Sequence, residues 1–293
     1  MVTMTSAPFE YHRPDSVEEA LRLLSRYGGN AKLLAGGHSL VPLMKLRLAS
    51  PEALIDLGKV KGLSGIRTGS DGLTIGATTT YYELESSMDI QQKAPLLAQA
   101  ASQVADTQVR NFGTIGGALA HADPAGDIPA VALALGVTLV TRTQRGGREI
   151  PVDRFFQDFM TTALRPNELL AEIRVPALPA RTGTAYVKLA NKASHYAVVG
   201  VAAVISLDAA GVCTAARVGI TGSGPFAVRA RRTERILTGK SLTPNAVRNA
   251  AKRAGAELEG TFNSDIHASA EYRAAMTQVF AERAINQAVA NVK

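Results

Sequence analysis

A chain of 293 residues, 46% hydrophobic and 19% charged, is long enough to bury two or three subdomain cores and too apolar to stay disordered. Its formal net charge is +7, of which +5 falls in residues 221–293, where eleven Lys and Arg face six Asp and Glu; with no dense basic block and few aromatics there, this reads as solvated helix faces or a docking face for an acidic partner and argues against a nucleic-acid surface. Cys213 is the only cysteine, which excludes an internal disulfide and any four-cysteine iron–sulfur or zinc site within the chain.

Residues 6–60 read as a small α/β unit. Ser16 and Glu19 form a capping box ahead of Ala20, Leu21, Leu23 and Leu24, and Gly28 and Gly29 close that helix. Residues 31–34 are a buried strand, 39–48 a short helix with Pro42 in its first turn, and 53–57 a second strand; this spacing predicts a parallel pair. Residues 61–178 read as a second α/β unit. Strands 63–67 and 73–77 flank Ser70-Asp71-Gly72, a hairpin signal, and 96–104 is a helix. A glycine-rich loop and a helix over 128–135 follow. Strands 137–143 and 148–151 flank Arg145-Gly146-Gly147, and 168–175 is a strand that Pro176 ends. Beyond a boundary at Pro176, Pro179 and Gly183, residues 184–190, 198–207 and 214–220 predict three long antiparallel strands, with the turn between the last two at 208–211. Helices over 229–237, 243–257 and 269–289 back that sheet. No apolar run approaches the roughly 20 residues of a membrane span and no secretory pattern opens the sequence, so the expected compartment is the cytoplasm.

Two stretches carry the chemistry. Residues 107–129 contain Gly113, Gly116 and Gly117, with Arg110 before them and Asp123 and Asp127 after. The three glycines permit φ > 0 and a close approach of backbone to ligand, and successive N–H groups in such a turn make an anion-binding nest. Asp127 opens the helix that follows, where it can cap the helix or accept hydrogen bonds from a sugar hydroxyl. Residues 32–40 run an apolar strand into Gly36-Gly37 and a helix N-terminus, the arrangement that holds phosphate. Two such turns suit a ligand with two phosphates. Other motifs fail. Gly239-Lys240-Ser241 resembles the end of a P-loop, but Glu234 stands where its first glycine belongs and a helix precedes it. No G-x-G-x-x-G follows a strand, no G-x-S-x-G elbow is present, and His38, His121 and His195 lack metal-ligand spacing.

Ala35-Gly36-Gly37-His38-Ser39 and Thr114-Ile115-Gly116-Gly117 occur together with Gln108-Val109-Arg110-Asn111, Ala122-Asp123-Pro124, and Lys188 followed by His195-Tyr196-Ala197-Val198. This ordered set resembles the FAD-binding subunits of the molybdenum hydroxylases, most nearly those of the carbon monoxide and xanthine dehydrogenase type, over residues 7 to 290. The resemblance implies an α+β chain: a vanillyl-alcohol oxidase (PCMH-type) FAD-binding fold in two α/β subdomains, residues 1–60 and 61–178, then a C-terminal antiparallel sheet with helices, residues 179–293. It implies FAD as this chain's cofactor. Backbone N–H groups of Ala35, Gly36, Gly37, His38 and Ser39, and of Thr114, Ile115, Gly116, Gly117 and Ala118, would meet its pyrophosphate. Asp127 would lie near the adenosine half, Leu164 and Lys188 near the isoalloxazine end, and Tyr196 beside the ring. Many relatives carry Asn where this chain has Ala118, so no side-chain role is expected there.

The resemblance further implies that no residue of this chain is a catalytic acid or base. Partners would supply the rest: a small subunit with two [2Fe-2S] clusters and a large subunit with a molybdopterin-type molybdenum cofactor, in a dimer of heterotrimers. Substrate would be oxidised in the large subunit, and electrons would pass through the clusters and FAD to a quinone, NAD or oxygen. Carbon monoxide, an aldehyde, a purine or an N-heterocycle all fit as substrate. A stand-alone flavin oxidase of the vanillyl-alcohol oxidase type and a flavin-free assembly protein are the readings from other classes. Flavin in this family is held without a covalent bond, although some relatives with a Gly-Gly-His turn link it through the histidine.

Overall fold

The computed structural model describes residues 5–292. β1 (Glu10–His12), α1 (Val17–Tyr27), β2 (Ala31–Leu34), α2 (Leu40–Lys45) and β3 (Ala53–Asp56) build a three-stranded parallel sheet in the order β1-β3-β2. The predicted cap of α1 forms in part. The Ser16 hydroxyl accepts the Glu19 N–H at 3.1 Å, but the Glu19 carboxylate takes the N–H of Asp15 rather than that of Ser16. The Ala20, Leu21 and Leu24 stripe of α1 buries against Ala31, Ala53 and Ile55. α2 stops at Lys45 rather than at 48, because Arg47 takes φ 57° and the N–H groups of Leu48 and Ala49 turn back to the Leu43 carbonyl.

The second unit holds β4 (Ile66–Gly69), β5 (Gly72–Gly76), α3 (Tyr81–Ser86), α4 (Met88–Lys93), α5 (Pro95–Ala101), α6 (Thr107–Phe112), α7 (Ile115–His121), α8 (Asp127–Leu135), β6 (Thr138–Arg142), β7 (Glu149–Pro151), β8 (Phe156–Asp158), β9 (Thr161–Thr162) and β10 (Leu169–Pro176). Five of these strands form an antiparallel sheet, β4-β5-β10-β6-β7, with both predicted hairpins present. Between β5 and α8 the sequence shows one helix, and the structure has five. α3, α4, α6 and α7 span six or seven residues each, too few turns to display an apolar period. They are set instead by their caps: the side chains of Thr80, Ser87, Asp106 and Thr114 each accept a first-turn N–H.

The third unit is β11 (Thr182–Ala190), β12 (Ala197–Leu207), β13 (Cys213–Thr221) and β14 (Val228–Arg229), antiparallel in that order, with α9 (Arg231–Leu237), α10 (Pro244–Ala251) and α11 (Ala270–Ala290). α10 stops short of 257 at a turn where Gly255 takes φ 84°. β12 reads as an unbroken apolar run because both its faces are covered. Val199, Val201, Ala203 and Ile205 join the core shared with Leu237, Val247 and Ile285 of the three helices, while Ala202 and Val204 join the core that contains α8. Every residue of α8 is buried, including Asp127. The helix is thus sandwiched between the second and third units, and its first residue is pinned where those units meet. Among the described residues no helix is long and apolar enough to cross a membrane.

Candidate functional site

A cleft of about 1250 Å³ is lined by Lys32 and Glu52 in the first unit, by both Gly-Gly motifs, and by Leu164 and Tyr196. That exceeds the roughly 300–1,000 Å³ of an ordinary small-molecule pocket and suits an elongated ligand.

The first motif has the geometry the sequence predicts. β2 ends at Leu34 and the chain turns sharply, with Gly37 at φ 73°. A Cβ on Gly36 would stand 2.1 Å from the Phe112 carbonyl oxygen, so one glycine is required by torsion and the other by contact with the end of α6. Among the described residues, the N–H groups of Gly36, Gly37, His38 and Ser39 donate to no protein acceptor, although Gly36, Gly37 and Ser39 are half-buried. Consecutive unspent donors on a concave wall fit a phosphate. The His38 ring packs edge-on against Phe112, centroids 5.9 Å apart, and so braces the turn against α6.

The second motif differs from the prediction. None of Gly113, Gly116 and Gly117 takes a positive φ; Gly113 lies at φ −59° and the other two are inside α7. No nest forms. These glycines are required by packing: a Cβ on Gly113 would meet the Tyr81 ring at 2.6 Å and one on Gly116 would meet Ala77 at 2.5 Å. The N–H groups of Ile115, Gly116 and Ala118 go to the carbonyls of Thr79, Ala77 and Thr114. The N–H of Gly117 donates to the Thr114 hydroxyl at 3.1 Å. The expectation that Thr114 to Ala118 present a run of free N–H groups is therefore corrected. Ile115 is buried away from the cleft. What the motif offers is Thr114, whose backbone N–H and hydroxyl proton find no acceptor among the described residues, beside the bare backbone of Gly117.

Asp127 and Lys188 call for a second correction. The resemblance puts them at opposite ends of the cofactor, whereas their charged groups lie 3.0 Å apart and are almost wholly buried. They share one end of the cleft. The Asp127 carboxylate also accepts the Tyr186 hydroxyl. Lys188 Nζ donates further to the Gln103 carbonyl at 2.7 Å and the His195 carbonyl at 2.9 Å, which consumes its three protons within the chain. Asp127 lines the cleft and Lys188 stands behind it. Burial pushes the Asp127 carboxyl above its ordinary range, against the pull of Lys188 and Tyr186, and drives the Tyr186 phenol well up. Tyr196 lies at this same end. Burial and the nearby carboxylate of Asp123 raise its phenol, with Asp127 adding to the effect and Ser39 opposing it.

Two residues that the sequence did not single out shape the Leu164 wall. Glu168, its side chain 1% exposed, takes the Arg148 Nε at 2.6 Å and Nη2 at 2.8 Å, and the Arg165 N–H at 2.9 Å. Arg148 Nη2 also donates to the Ala163 carbonyl at 2.5 Å. Burial pushes the Glu168 carboxyl up, but these donors outweigh it and hold it below the usual range. The one sequence signal is a carboxylate at the head of the apolar run Leu169-Leu170-Ala171. No group of three or more His, Cys, Asp or Glu among the described residues is placed to hold a metal ion.

Comparison with known proteins bears on this geometry. The family described as FAD binding domain in molybdopterin dehydrogenase matches residues 7–178, and the CO dehydrogenase flavoprotein C-terminal domain matches residues 184–288. The carbon monoxide dehydrogenase medium chain of Hydrogenophaga pseudoflava is 44% identical over 280 residues, 96% of each chain. Subunit alpha of the 6-hydroxypseudooxynicotine dehydrogenase complex of Paenarthrobacter nicotinovorans is 38% identical over 286 residues, 98% of this chain and 96% of that one. A solved structure of carbon monoxide dehydrogenase from Hydrogenophaga pseudoflava, lacking the Mo-pyranopterin moiety of its molybdenum cofactor, superposes with a TM-score of 0.95 at 44% identity and covers 98% of this chain and 99% of its own.

Proposed function

Since the chain belongs to the FAD-binding subunits of the molybdenum hydroxylases, we propose that its cleft holds FAD with the pyrophosphate on the Ala35 to Ser39 turn and the isoalloxazine at the Leu164 and Tyr196 end. The observation that carries this placement is the run of unspent N–H groups at Gly36 to Ser39. Thr114 adds a hydroxyl donor from the neighbouring motif. Leu164, fixed through Arg148 and Glu168, and Tyr196, on the loop before β12, flank the ring and limit its contact with water. Asp127, with Lys188 and Tyr186, stiffens the cleft wall, and the Asp127–Lys188 ion pair puts both residues beside the same part of the cofactor. When bound, FAD supplies the capacity to accept electrons singly and pass them on in pairs; the chain supplies binding and orientation.

The rest of the relay lies in partners: a small iron–sulfur subunit, a large molybdenum subunit, and an external acceptor, in a dimer of heterotrimers working in the cytoplasm. A single, buried cysteine supports clusters held elsewhere and a reducing compartment. The named relatives act on carbon monoxide and on 6-hydroxypseudooxynicotine at comparable overlap with this chain, which supports a substrate choice made outside it. The division into residues 1–60, 61–178 and 179–293 belongs to the same reading; its breaks fall between the three larger sheets. The test is to purify the chain with its partners and identify the released nucleotide by chromatography. FAD in the supernatant after acid precipitation is the expected result. FMN alone would overturn the placement across both motifs.

A further inference from the structure

The residues that join β11 to β12, 191–196, are mostly exposed, yet they are tied down throughout. Asn191 Oδ1 accepts the N–H groups of Ala193 and Ser194 at 2.9 and 3.2 Å. The backbone N–H of Asn191 donates to the Tyr196 carbonyl at 2.8 Å, and its carbonyl accepts the His195 N–H at 2.9 Å. Its side-chain amide meets Nδ1 of His267 at 3.2 Å. His267 is held in turn, its N–H on Asp265 and Asp265 on the buried Arg273. One asparagine thus uses every polar group it has, and all but one of these bonds stay within the loop.

An Asn closing a turn through its side chain is ordinary. The residue beside Tyr196 is not ordinary. His195 takes φ 60°, a conformation that a non-glycine residue keeps only where surrounding bonds over-determine it. Those bonds are visible: the His195 N–H to Asn191, its ring Nδ1 to the Ala105 carbonyl at 2.9 Å, and its carbonyl to Lys188 at 2.9 Å. The next residue is Tyr196, 45% exposed at the cleft mouth. The loop therefore has one arrangement, and that arrangement delivers the phenol ring to one place.

We propose that Asn191 is a positioning residue for Tyr196: it holds the 191–196 loop so that the ring is in place at the isoalloxazine end before the cofactor arrives. This rests on the reading that Tyr196 lies beside the flavin ring. The test is a spectroelectrochemical titration of the flavin in the purified complex, with the FAD dissociation constant and melting temperature taken on the same preparations. The variants are Tyr196→Ala, Asn191→Ala, Asn191→Asp and the double variant Asn191→Ala/Tyr196→Ala. Asn191→Ala shifts the flavin potential in the same direction as Tyr196→Ala, and the double variant shifts it no further than Tyr196→Ala alone, the signature of two residues acting through one contact. Asn191→Asp keeps the acceptor for Ala193 and Ser194 and keeps the wild-type potential. The FAD affinity of either Asn191 variant falls no further than that of Tyr196→Ala, roughly fivefold for one lost aromatic contact, because the pyrophosphate turn is untouched. A wild-type potential in Asn191→Ala, with or without a lower melting temperature, overturns the proposal, as does a double variant whose shift is the sum of the two. If Tyr196→Ala itself leaves the potential unchanged, the placement of Tyr196 falls and this inference falls with it.

Discussion

Two Gly-Gly pairs pack side by side in the wall of the cleft, and the same dipeptide is there for opposite reasons. At Gly36-Gly37 the chain bends through φ 73° and leaves its N–H groups free. At Gly116-Gly117 it is helical, its N–H groups are spent, and a Cβ on Gly116 would strike Ala77. The first pair opens the backbone to a ligand. The second lets α7 pack against the strand end at Ala77 and leaves a threonine hydroxyl as its contribution to the cleft. A glycine motif therefore reports close approach, and only torsions and donor accounting tell whether what approaches is a ligand or the protein itself.

The largest effect expected concerns the wall behind the second motif. Lys188→Met leaves the Asp127 carboxylate buried without its cation; removing one member of a buried pair costs about 3–5 kcal/mol. Thermal or denaturant unfolding of the variant checks this, and a change within 1 kcal/mol would show that the pair at 3.0 Å is not what holds α8 to the third unit. Next comes Thr114. Thr114→Val removes both the hydroxyl donor and the N-cap of α7, and the loss of one hydrogen bond to a charged group, roughly 1.5–3 kcal/mol, lowers FAD affinity about ten- to a hundredfold. Thr114→Ser should bind as the wild type does. Equal weakening in both would mean that the methyl group, not the hydroxyl, carries the contribution of this motif.

Glu168 sharpens the comparison through pH. Its carboxyl is held below its unfolded value, so its share of stability is present above about pH 4.3 and is lost as the pH falls through the lower folded value. Glu168→Gln should be less stable than the wild type at pH 7, and the gap should narrow as the pH falls below that range. A gap that widens in acid would contradict the cause assigned here. The smallest effect belongs to His38→Ala. It removes an edge contact with Phe112 worth about 1 kcal/mol and no N–H, so FAD should be retained. A yellow pellet after acid precipitation of the wild type would instead make His38 a covalent anchor.

How much of this the sequence could disclose follows from distance along the chain. β2 and the Gly36-Gly37 turn are local and legible, as are the long strands β11 to β13 and the helix α11, through their length and the turns that bound them. The helices α3, α4, α6 and α7 are not, because fewer than two turns give no period, and their caps are common residues. Asp127 and Lys188 stand out through the resemblance, which puts them at different ends of the ligand, and nothing in a spacing of 61 positions says that they touch. Arg148 and Glu168 meet across 20 positions for the same reason, through a strand pairing that only the folded sheet brings about. The glycines of the second motif predict φ > 0 and a close approach to a ligand, whereas the approach is to Tyr81 and Ala77, since a sequence shows where a Cβ is missing and not what would have met it.

The central claim is that the first turn holds the pyrophosphate through its backbone while the second is a packed helix start. The most direct test is the FAD dissociation constant of Gly37→Val against Gly117→Ala, measured in the same complex. Valine at position 37 must adopt φ 73° or move the turn, so at least one charge-assisted N–H bond is lost and affinity should fall ten- to a hundredfold per bond lost, at roughly 1.5–3 kcal/mol each. Alanine at position 117 suits the helix, and its Cβ disturbs only the Thr114 hydroxyl, 2.7 Å away. Its loss should stay at or below that of Thr114→Val. A Gly117→Ala variant that releases FAD while Gly37→Val retains it would contradict the account.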